Sequence, residues 1–429
     1  MTRIPDYIFC GDDFTGASDT LATLARGGLN CRLFLDAQTL LNCQDLSELD
    51  AAGIATATRS MPPADIINTL QPVGKILEQQ SKSVFHYKVC STFDSSPETG
   101  SIGTAVNTLK QIKPESNIFI SGGQPSLGRY CVFNNLFAAA ADGAVYRIDR
   151  HPTMANHPVT PMQESDLVRL LNSQGLPNIS GIHRSLYSSL SHDIARQTNT
   201  LWNKGVAVLF DVEEDTDIKI LGSVLASNRD TVTLAVGSSS IAEAYLSQRE
   251  SGDTPTTTRT PSLPKKPVFI IAGSRSPVTA TQVQNSRGFH KLLIDPEQIG
   301  RDRVTALDKY LSECTECLKN SSHVLAIVTS NMNHHLSRAD IAGFTAALTA
   351  RVAFSGLVDR IGIAGGDTSS LALQELGADS LSYEADIEPG LCLCRLHSAK
   401  QQKINGLEII LKGGQMGSPE LFNKLTGPL

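Results

Sequence analysis

The sequence predicts an α/β fold with two α/β domains, each built on a mostly parallel sheet. Short apolar runs, such as residues 7–10, 118–121 and 268–272, alternate with helical patterns along the whole chain, as in proteins made of βα units. Many of these runs end in glycine, serine or threonine just before a helix begins. The chain of 429 residues also exceeds the length at which a single core stops growing, so two domains are expected.

A single stretch has the composition of a linker. Residues 249–266 are rich in threonine, proline and serine and lack apolar periodicity, which is typical of a connecting segment. We therefore predict an N-terminal domain over residues 1–248, a linker over 249–266 and a C-terminal domain over 267–429. With two such domains, the active site is expected in the cleft between them.

The amino-acid composition of the chain limits the kinds of molecule that it is expected to bind. Hydrophobic residues make up 41% and charged residues 19% of the chain, and no apolar run approaches the roughly 20 residues that a membrane span needs. The first residues lack the apolar region of a secretory signal, so we expect a cytoplasmic protein. A net charge of −6 disfavours nucleic acid as a partner. A small-molecule substrate is the expected partner.

The nine cysteines are scattered and odd in number, which favours reduced thiols. Cys314 and Cys317, together with Cys392 and Cys394, could be counted as four zinc ligands. The first pair, however, continues a helical apolar pattern and the second alternates with leucines as in a strand. We interpret all four as buried, apolar-like residues.

The first candidate site lies where the first apolar run ends. Gly11 is followed by Asp12 and Asp13, and a helical pattern begins near Thr15. The carboxyl ends of strands are where open α/β sheets bind ligands. One interpretation is that Asp13 or Thr15 caps the helix. The other is that a carboxylate faces the cleft and orients or deprotonates a substrate hydroxyl.

Basic and polar residues follow the next strands. Arg59 stands after a short apolar run, where a guanidinium could bind a carboxylate or phosphate, although a surface arginine is an equal alternative. Lys88 interrupts an apolar strand and needs an anion nearby, so Lys88 and Asp94 form an ion pair or, as we favour, a substrate clamp. Glycines before Arg129 permit close approach of a ligand. A proline-rich loop that carries His157 is typical of a rigid lip over a cleft.

The C-terminal region contains several turns rich in glycine and serine after predicted strands. They occur at residues 273–277, 365–370 and 412–417. Backbone amides and helix N-termini in such turns suit polyphosphate. No Walker A pattern and no Gly-x-Gly-x-x-Gly fingerprint occurs in them, which disfavours conventional P-loop and Rossmann folds.

The motifs taken together resemble those of the four-carbon acid-sugar kinase family. They stand in family order over essentially the whole chain, at residues 11–19, 88–94, 102–103, 157–162, 365–369 and 412–417. The resemblance is strongest to the 3-oxo-tetronate kinase branch, although residues 95–101 and the Lys-Gly-Gly-Gln-Met-Gly turn differ from that branch. The resemblance implies an acid-sugar-binding N-terminal domain, an ATP-binding C-terminal domain and transfer of the γ-phosphoryl group to a terminal hydroxyl.

Roles for individual residues follow from the resemblance together with the motifs. The substrate would be 3-oxo-tetronate, D-threonate, D-erythronate or a branched relative such as 3-oxo-isoapionate, with ATP and Mg2+ as cofactors and a homodimer as a possible assembly. The alternative is a non-catalytic sugar-acid sensor. The candidate residues are Asp12, Asp13 and Asp367 for catalysis; Arg59, Lys88, Ser91, Asp94, Arg129 and His157 for the substrate; and Ser274, Ser276, Gly365, Gly366, Asp367, Thr368, Lys412, Gly413 and Gly414 for ATP.

Overall fold

The computed structural model describes residues 4–427 apart from 82, 141, 158, 188–190, 250–258, 330–334 and 415. The chain divides into two compact units, Met1–Thr257 and Thr258–Leu429. Each unit combines helices with a mostly parallel sheet, so the predicted α/β class is confirmed. Among the helices that the structure describes, none has both the length and the apolar character that crossing a bilayer requires.

The first unit contains strands β1 to β11 and helices α1 to α8. The strands are β1 (Tyr7–Gly11), β2 (Cys31–Phe34), β3 (Ala51–Ala55), β4 (Ser83–Lys88), β5 (Asn117–Ser121), β6 (Arg129–Val132), β7 (Asn135–Ala139), β8 (Val145–Arg147), β9 (Ile179–Ile182), β10 (Ala207–Phe210) and β11 (Val232–Gly237). The helices are α1 (Phe14–Arg26), α2 (Ala37–Leu41), α3 (Pro63–Glu78), α4 (Ile102–Ile112), α5 (Leu167–Ser173), α6 (Ser191–Trp202), α7 (Asp215–Ala226) and α8 (Ser240–Leu246).

Eight of these strands form one parallel sheet in the order β2-β3-β1-β4-β11-β5-β10-β9. The central strands are buried along their whole length, which is why they read as continuous apolar runs in the sequence. Strands β6, β7 and β8 form a separate antiparallel sheet. Because the eight strands are parallel, their carboxyl ends lie along one edge of the sheet, the carboxyl-terminal edge. That edge carries the residues that follow β1, β3, β4, β11 and β5.

The second unit contains strands β12 to β18 and helices α9 to α14. The strands are β12 (Val268–Ala272), β13 (Phe289–Ile294), β14 (His323–Val328), β15 (Arg360–Ala364), β16 (Ser380–Glu388), β17 (Leu391–His397) and β18 (Glu408–Lys412). The helices are α9 (Pro277–Asn285), α10 (Pro296–Arg301), α11 (Arg303–Lys319), α12 (Arg338–Phe354), α13 (Gly366–Leu376) and α14 (Leu421–Lys424).

The sheet of the second unit has the order β13-β14-β12-β15-β18-β17-β16. Its first five strands are parallel, whereas β17 pairs antiparallel with both β18 and β16. Cys314 lies in helix α11, while Cys392 and Cys394 lie in strand β17, in agreement with the predicted elements. The carboxyl ends of β12, β15 and β18 are neighbours, so their three turns lie together.

Candidate active site

The first cluster of polar groups lies at the carboxyl ends of β3, β1 and β4 in the first unit. The amide of Asp12 donates to the carbonyl of Lys88 at 2.9 Å, and the amide of Arg59 donates to the carbonyl of Asp12 at 3.0 Å. These backbone contacts hold three turns against one another. The side chains of Asp12, Lys88 and Arg59, which the sequence separates by up to 76 positions, therefore converge.

Asp13 is the N-cap of helix α1. Its Oδ1 accepts from the amide of Gly16 at 2.6 Å, with φ −140° and ψ 162°, the extended conformation usual for a cap. Its Oδ2 accepts from Nη1 of Arg59 at 2.8 Å. The sequence left two interpretations open for this pair of aspartates, helix capping and a carboxylate that faces the cleft. For Asp13, the structure shows helix capping.

Asp94 is the second carboxylate held by Arg59. Nε of Arg59 donates to Oδ2 of Asp94 at 3.1 Å, and Nη2 donates to the same oxygen. Thr92 donates to Oδ1, and the Thr160 hydroxyl donates to Oδ2 at 3.4 Å. Burial raises the pKa of Asp94, but the charge and hydrogen bonds of Arg59, the hydrogen bond from Thr92 and the charge of His157 together outweigh burial and hold the pKa below its usual value.

Asp12 differs from its two neighbours because its carboxylate lacks a full set of partners. The residue is 5% exposed, and its buried Oδ1 has no hydrogen-bond partner among the described residues. Burial, with a further contribution from the charge of Asp13, raises the pKa of Asp12 to about 7. A buried carboxylate at the edge of the sheet with a pKa near neutrality is suited to accept a proton.

Lys88 lies beside this pair of aspartates. It is 3% exposed, and its Nζ donates to the carbonyl of Val89 at 2.9 Å. A Cβ on Gly16 would lie 2.8 Å from this Nζ and 2.7 Å from Oδ1 of Asp13, so a side chain there would displace both groups. Within the described part of the chain, Asp94 pairs with Arg59, so the ion pair between Lys88 and Asp94 that the sequence suggested is not formed.

The turn that carries Asp94 is strained. Phe93 is fully buried and has a φ of +52°, which is rare for a bulky residue. Gly100, at φ +64°, donates to the carbonyl of Met61 at 2.9 Å, and a Cβ there would lie 2.4 Å from the carbonyl oxygen of Arg59. The surrounding contacts thus impose the conformation that brings Asp94 to Arg59.

Arg129 is a cation that retains free donors. Its Nη1 donates to the carbonyls of Leu127 at 2.8 Å and Gly128 at 3.3 Å, whereas its buried Nε has no partner among the described residues. Burial lowers the pKa of Arg129, and the nearby thiol of Cys90 acts in the opposite direction. Arg129 therefore lies at the same carboxyl-terminal edge of the sheet as the end of β4. Its Nε is available to donate a hydrogen bond to a ligand.

Ser91 and His157 complete the predicted substrate residues. Ser91 is half-buried in the turn after β4. His157 is also half-buried, and its Nδ1 accepts from the amide of Thr160 at 3.1 Å. Burial lowers the pKa of His157. The sequence did not predict a role for Thr160 in this site. Its position within the motif of residues 157–162 could have indicated one.

The second cluster lies in the second unit, where β12, β15 and β18 end. The amides of Gly273 and Ser274 donate to the carbonyl of Ala364 at 3.0 and 2.9 Å, and the amide of Gly365 donates to the carbonyl of Lys412 at 2.9 Å. Gly365 has a φ of +136°, a conformation that side chains rarely adopt. The three predicted glycine-rich and serine-rich turns therefore lie side by side.

Lys412 is directed into this cluster. It is 1% exposed, and its Nζ donates to Oγ1 of Thr279 at 2.8 Å and to the carbonyls of Gly413 and Gly414 at 3.0 and 3.2 Å. These acceptors use all three protons of an ammonium group. Burial lowers the pKa of Lys412 to about 8. Lys412 thus organises its own turn, and the sequence did not identify Thr279 as its partner.

Serine and threonine side chains line the other two turns. Ser276 caps helix α9 by accepting from the amide of Thr279 at 3.1 Å, and its hydroxyl donates to the carbonyl of Gly414. Thr368 is buried in the first turn of α13. Gly366 begins this helix, is exposed, and has open space where a Cβ would stand. The side chain of Asp367, proposed for catalysis and ATP binding, lies outside the described part of the structure.

Within the described residues, no group of three or more histidine, cysteine, aspartate or glutamate side chains could hold a metal ion. Among the described residues, the cysteines at 314, 317, 392 and 394 form no disulfide; Cys314, Cys392 and Cys394 are buried as predicted, whereas Cys317 is only half-buried because it lies nearer the solvent-facing side of α11. The polar groups thus form two clusters of different character, one acidic and basic in the first unit and one rich in backbone amides in the second.

Comparisons with known proteins agree with the division of the chain into two units. Residues 7–245 match the model of a sugar-binding N-terminal domain, and residues 269–422 match that of a nucleotide-binding C-terminal domain. The chain is 33% identical to 3-oxo-isoapionate kinase of Paraburkholderia graminis, over 96% of this chain and 92% of that protein. The chain belongs to the four-carbon acid-sugar kinase family.

Other members of the family are similar over the same length. The 3-oxo-tetronate kinase of Cupriavidus necator is 28% identical over 96% of this chain and 94% of that protein. The crystal structure of Haemophilus influenzae protein HI1011 has the same fold, with a TM-score of 0.73 and 24% identity over 98% of this chain and 99% of that one. The chain is therefore a sugar-acid kinase that uses ATP, and the sensor alternative is not favoured.

Proposed function

We propose that the enzyme transfers the γ-phosphoryl group of ATP to the terminal hydroxyl of a four-carbon sugar acid, or of a branched relative of similar size. The observation that carries the proposal is the buried Asp12, whose Oδ1 has no partner among the described residues and whose pKa is raised to about 7. Relatives that act on 3-oxo-isoapionate and 3-oxo-tetronate support this class of substrate. D-threonate and D-erythronate belong to the same class.

Asp12 is proposed as the residue that orients the acceptor hydroxyl and takes its proton. Asp13 and Asp94 are already paired with Arg59, so neither is as free to accept a proton. Phosphoryl transfer needs positioning and charge stabilisation more than covalent chemistry. The Arg59 contacts supply the positioning by fixing the turns on either side of Asp12.

The carboxylate of the substrate is assigned to Arg129 and Lys88. Arg59 donates to two carboxylates already, whereas among the described residues Nε of Arg129 has no partner and Nζ of Lys88 has one acceptor, the carbonyl of Val89. Because unused donors on a buried cation are costly, an incoming carboxylate would stabilise both. Ser91 and His157 are proposed as further polar contacts to the sugar acid.

ATP is assigned to the turns of the second unit. The residues proposed to surround the phosphates are Ser274, Ser276, Gly365, Gly366, Thr368, Gly413 and Gly414, with Lys412 holding the last turn in place. The N-terminus of α13 and the open space at the exposed Gly366 suit a phosphate. Asp367 remains a candidate contact.

Mg2+ is proposed to enter bound to the phosphates of ATP. The described residues offer no cluster of three ligands, and magnesium that is carried by phosphates needs only one or two carboxylates from a protein. Asp12 and Asp13 are the carboxylates proposed for that role. The ion would neutralise charge on the transferring group.

The domain assignment stays a proposal, with acid-sugar binding over residues 1–248, a linker over 249–266 and nucleotide binding over 267–429. A cytoplasmic location and a homodimer also stay predictions. Light scattering coupled to size-exclusion chromatography would measure the assembly, and a mass of about 46 kDa would exclude the dimer.

The proposed reaction is tested by measuring ADP formation with MgATP and a panel of acids. The panel contains linear 3-oxo-tetronate, D-threonate and D-erythronate together with branched 3-oxo-isoapionate, and the neutral polyol of equal length serves as control. We expect turnover of at least one acid and little turnover of the polyol. Equal turnover of the acid and the polyol, or none with any acid, would contradict the proposal.

A further inference from the structure

We propose that the side-chain amide of Gln124 binds the hydroxyl next to the substrate carboxylate and so selects 2-hydroxy acids. This assignment rests on the proposed function and adds a specificity-determining residue to it. Gln124 follows β5, at the same edge of the sheet as Asp12 and Lys88. In that sheet β5 is separated from β4 by β11 alone.

The backbone of Gln124 is fully hydrogen-bonded. Its amide donates to the carbonyl of Arg129 at 2.8 Å, and its carbonyl accepts from the amides of Arg129 and Leu127 at 3.1 and 3.0 Å. The preceding Gly123 has a φ of +105°, and a Cβ there would lie 2.6 Å from the carbonyl oxygen of Val212. The main chain at Gln124 is therefore held in one position, and Gln124 is tied directly to Arg129.

The side-chain amide of Gln124, in contrast to the backbone, is not fully hydrogen-bonded. The residue is 2% exposed, yet its Oε1 is buried without a hydrogen-bond partner in the described part of the chain. Buried polar atoms in native proteins are nearly always paired, because an unpaired one keeps its full desolvation penalty. Oε1 thus requires a donor, which a ligand hydroxyl would provide.

Arg129 presents the complementary group. Its buried Nε is an unpartnered donor, and the two residues are joined by a pair of backbone hydrogen bonds. An unpaired acceptor and an unpaired cationic donor on one loop match a 2-hydroxy acid, whose hydroxyl donates and whose carboxylate accepts. Tetronates and 3-oxo-tetronates carry this pair of groups at one end and the phosphate acceptor at the other.

A buried amide without hydrogen-bond partners is not by itself a ligand site, and Gln80 is a second residue of this kind with which Gln124 can be compared. Gln80 is 4% exposed, and both polar atoms of its amide lack partners among the described residues. It follows helix α3 and precedes β4, so it lies at the opposite, amino-terminal edge of the sheet. Gln80 therefore serves as a matched control for the loss of a buried amide.

The test compares Gln124→Met with Gln80→Met, because methionine keeps the length of the side chain without the amide. We measure KM for the preferred 2-hydroxy acid, for 3,4-dihydroxybutanoate, which lacks the 2-hydroxyl, and for ATP. In Gln124→Met, KM for the 2-hydroxy acid should rise about tenfold, as expected for one lost hydrogen bond. KM for 3,4-dihydroxybutanoate and for ATP should stay within about twofold of wild type, and Gln80→Met should leave all three unchanged.

Thermal unfolding separates this role from a structural one. Removal of the amide of Gln124, whose Oε1 has no partner among the described residues, should not lower Tm of the ligand-free protein, whereas loss of a structural hydrogen bond would. An unchanged KM for the 2-hydroxy acid, or an equal rise for both acids, would overturn the assignment to Gln124. Wild-type enzyme without turnover on any acid would instead overturn the proposed function, so the two failures are distinguishable.

Discussion

Arg59 donates from both Nε and Nη2 to one oxygen of Asp94, Oδ2. Its third nitrogen, Nη1, donates to Asp13. The side chain of Asp94 is fully buried, whereas that of Arg59 is 27% exposed. The guanidinium therefore joins the cap of α1 to the turn after β4. The sequence suggested Arg59 for the substrate carboxylate, but these contacts favour a positioning role.

The first prediction is that Arg59→Lys destabilises the fold. A lysine cannot reproduce the planar fork with which Arg59 makes three hydrogen bonds to Asp13 and Asp94, so part of this set would be lost. We expect the free energy of unfolding, measured with urea, to fall by about 1 to 3 kcal/mol. Arg129→Lys is the control, because it should weaken binding of the sugar acid with little loss of stability. If the two variants lose equal stability, the division of roles between the arginines is wrong.

The second prediction concerns Asp12. Asp12→Asn removes the proposed base while keeping the size of the side chain, so kcat should fall about a hundredfold or more, with ATP affinity unchanged. Circular dichroism and urea unfolding check that the variant folds. Asp13→Asn should lose stability as well, because Asp13 caps α1 and pairs with Arg59. Retention of more than about a tenth of wild-type kcat in Asp12→Asn would exclude Asp12 as the base.

The third prediction is the dependence on pH that follows from the pKa of Asp12. Burial raises this pKa to about 7 in the folded protein, whereas the unfolded value is near 4. Because the folded state holds the proton more tightly, the contribution of Asp12 to stability is lost as pH rises from about 4 through 7. Activity should rise over the upper part of that range, because the base must be ionised.

Stability and activity should thus change in opposite directions with pH. The measurements are the free energy of unfolding and kcat/KM in buffers between about pH 5 and pH 8.5, the range over which a group with this pKa titrates. The comparison is made with Asp12→Asn, in which the contribution of this group to both profiles should vanish. A wild-type kcat/KM that is flat across neutral pH would contradict the assignment.

The fourth prediction distinguishes two glycines of the nucleotide site. A Cβ at Gly366 meets open space, whereas one at Gly414 would lie 2.7 Å from Oγ of Ser274. Gly366→Ala should therefore keep the fold but weaken ATP binding, because the methyl group enters the space assigned to phosphate. Gly414→Ala should lower Tm as well. Calorimetry that finds unchanged ATP affinity in Gly366→Ala would place the phosphates elsewhere.

Many elements of the sheets could be predicted from sequence because the pattern of apolar residues is local. The strand Val268–Ala272 agrees with its predicted bounds, since continuous burial leaves a continuous apolar run. The antiparallel strands β7 and β16 were less evident. Their alternation between buried and half-buried residues gives a weaker signal than a fully buried run.

By itself, the sequence determined the class of the fold, the family and the neighbourhood of each site, because these depend on short motifs and their order. It placed Asp12, Asp13, Arg59, Lys88 and Asp94 at strand ends. Only the tertiary structure decided how they pair, since residues up to 82 positions apart compete for the same partners. Arg59 pairs with Asp13 and Asp94, whereas Oδ1 of Asp12 has no partner within the described part of the chain, and burial raises the pKa of that carboxyl.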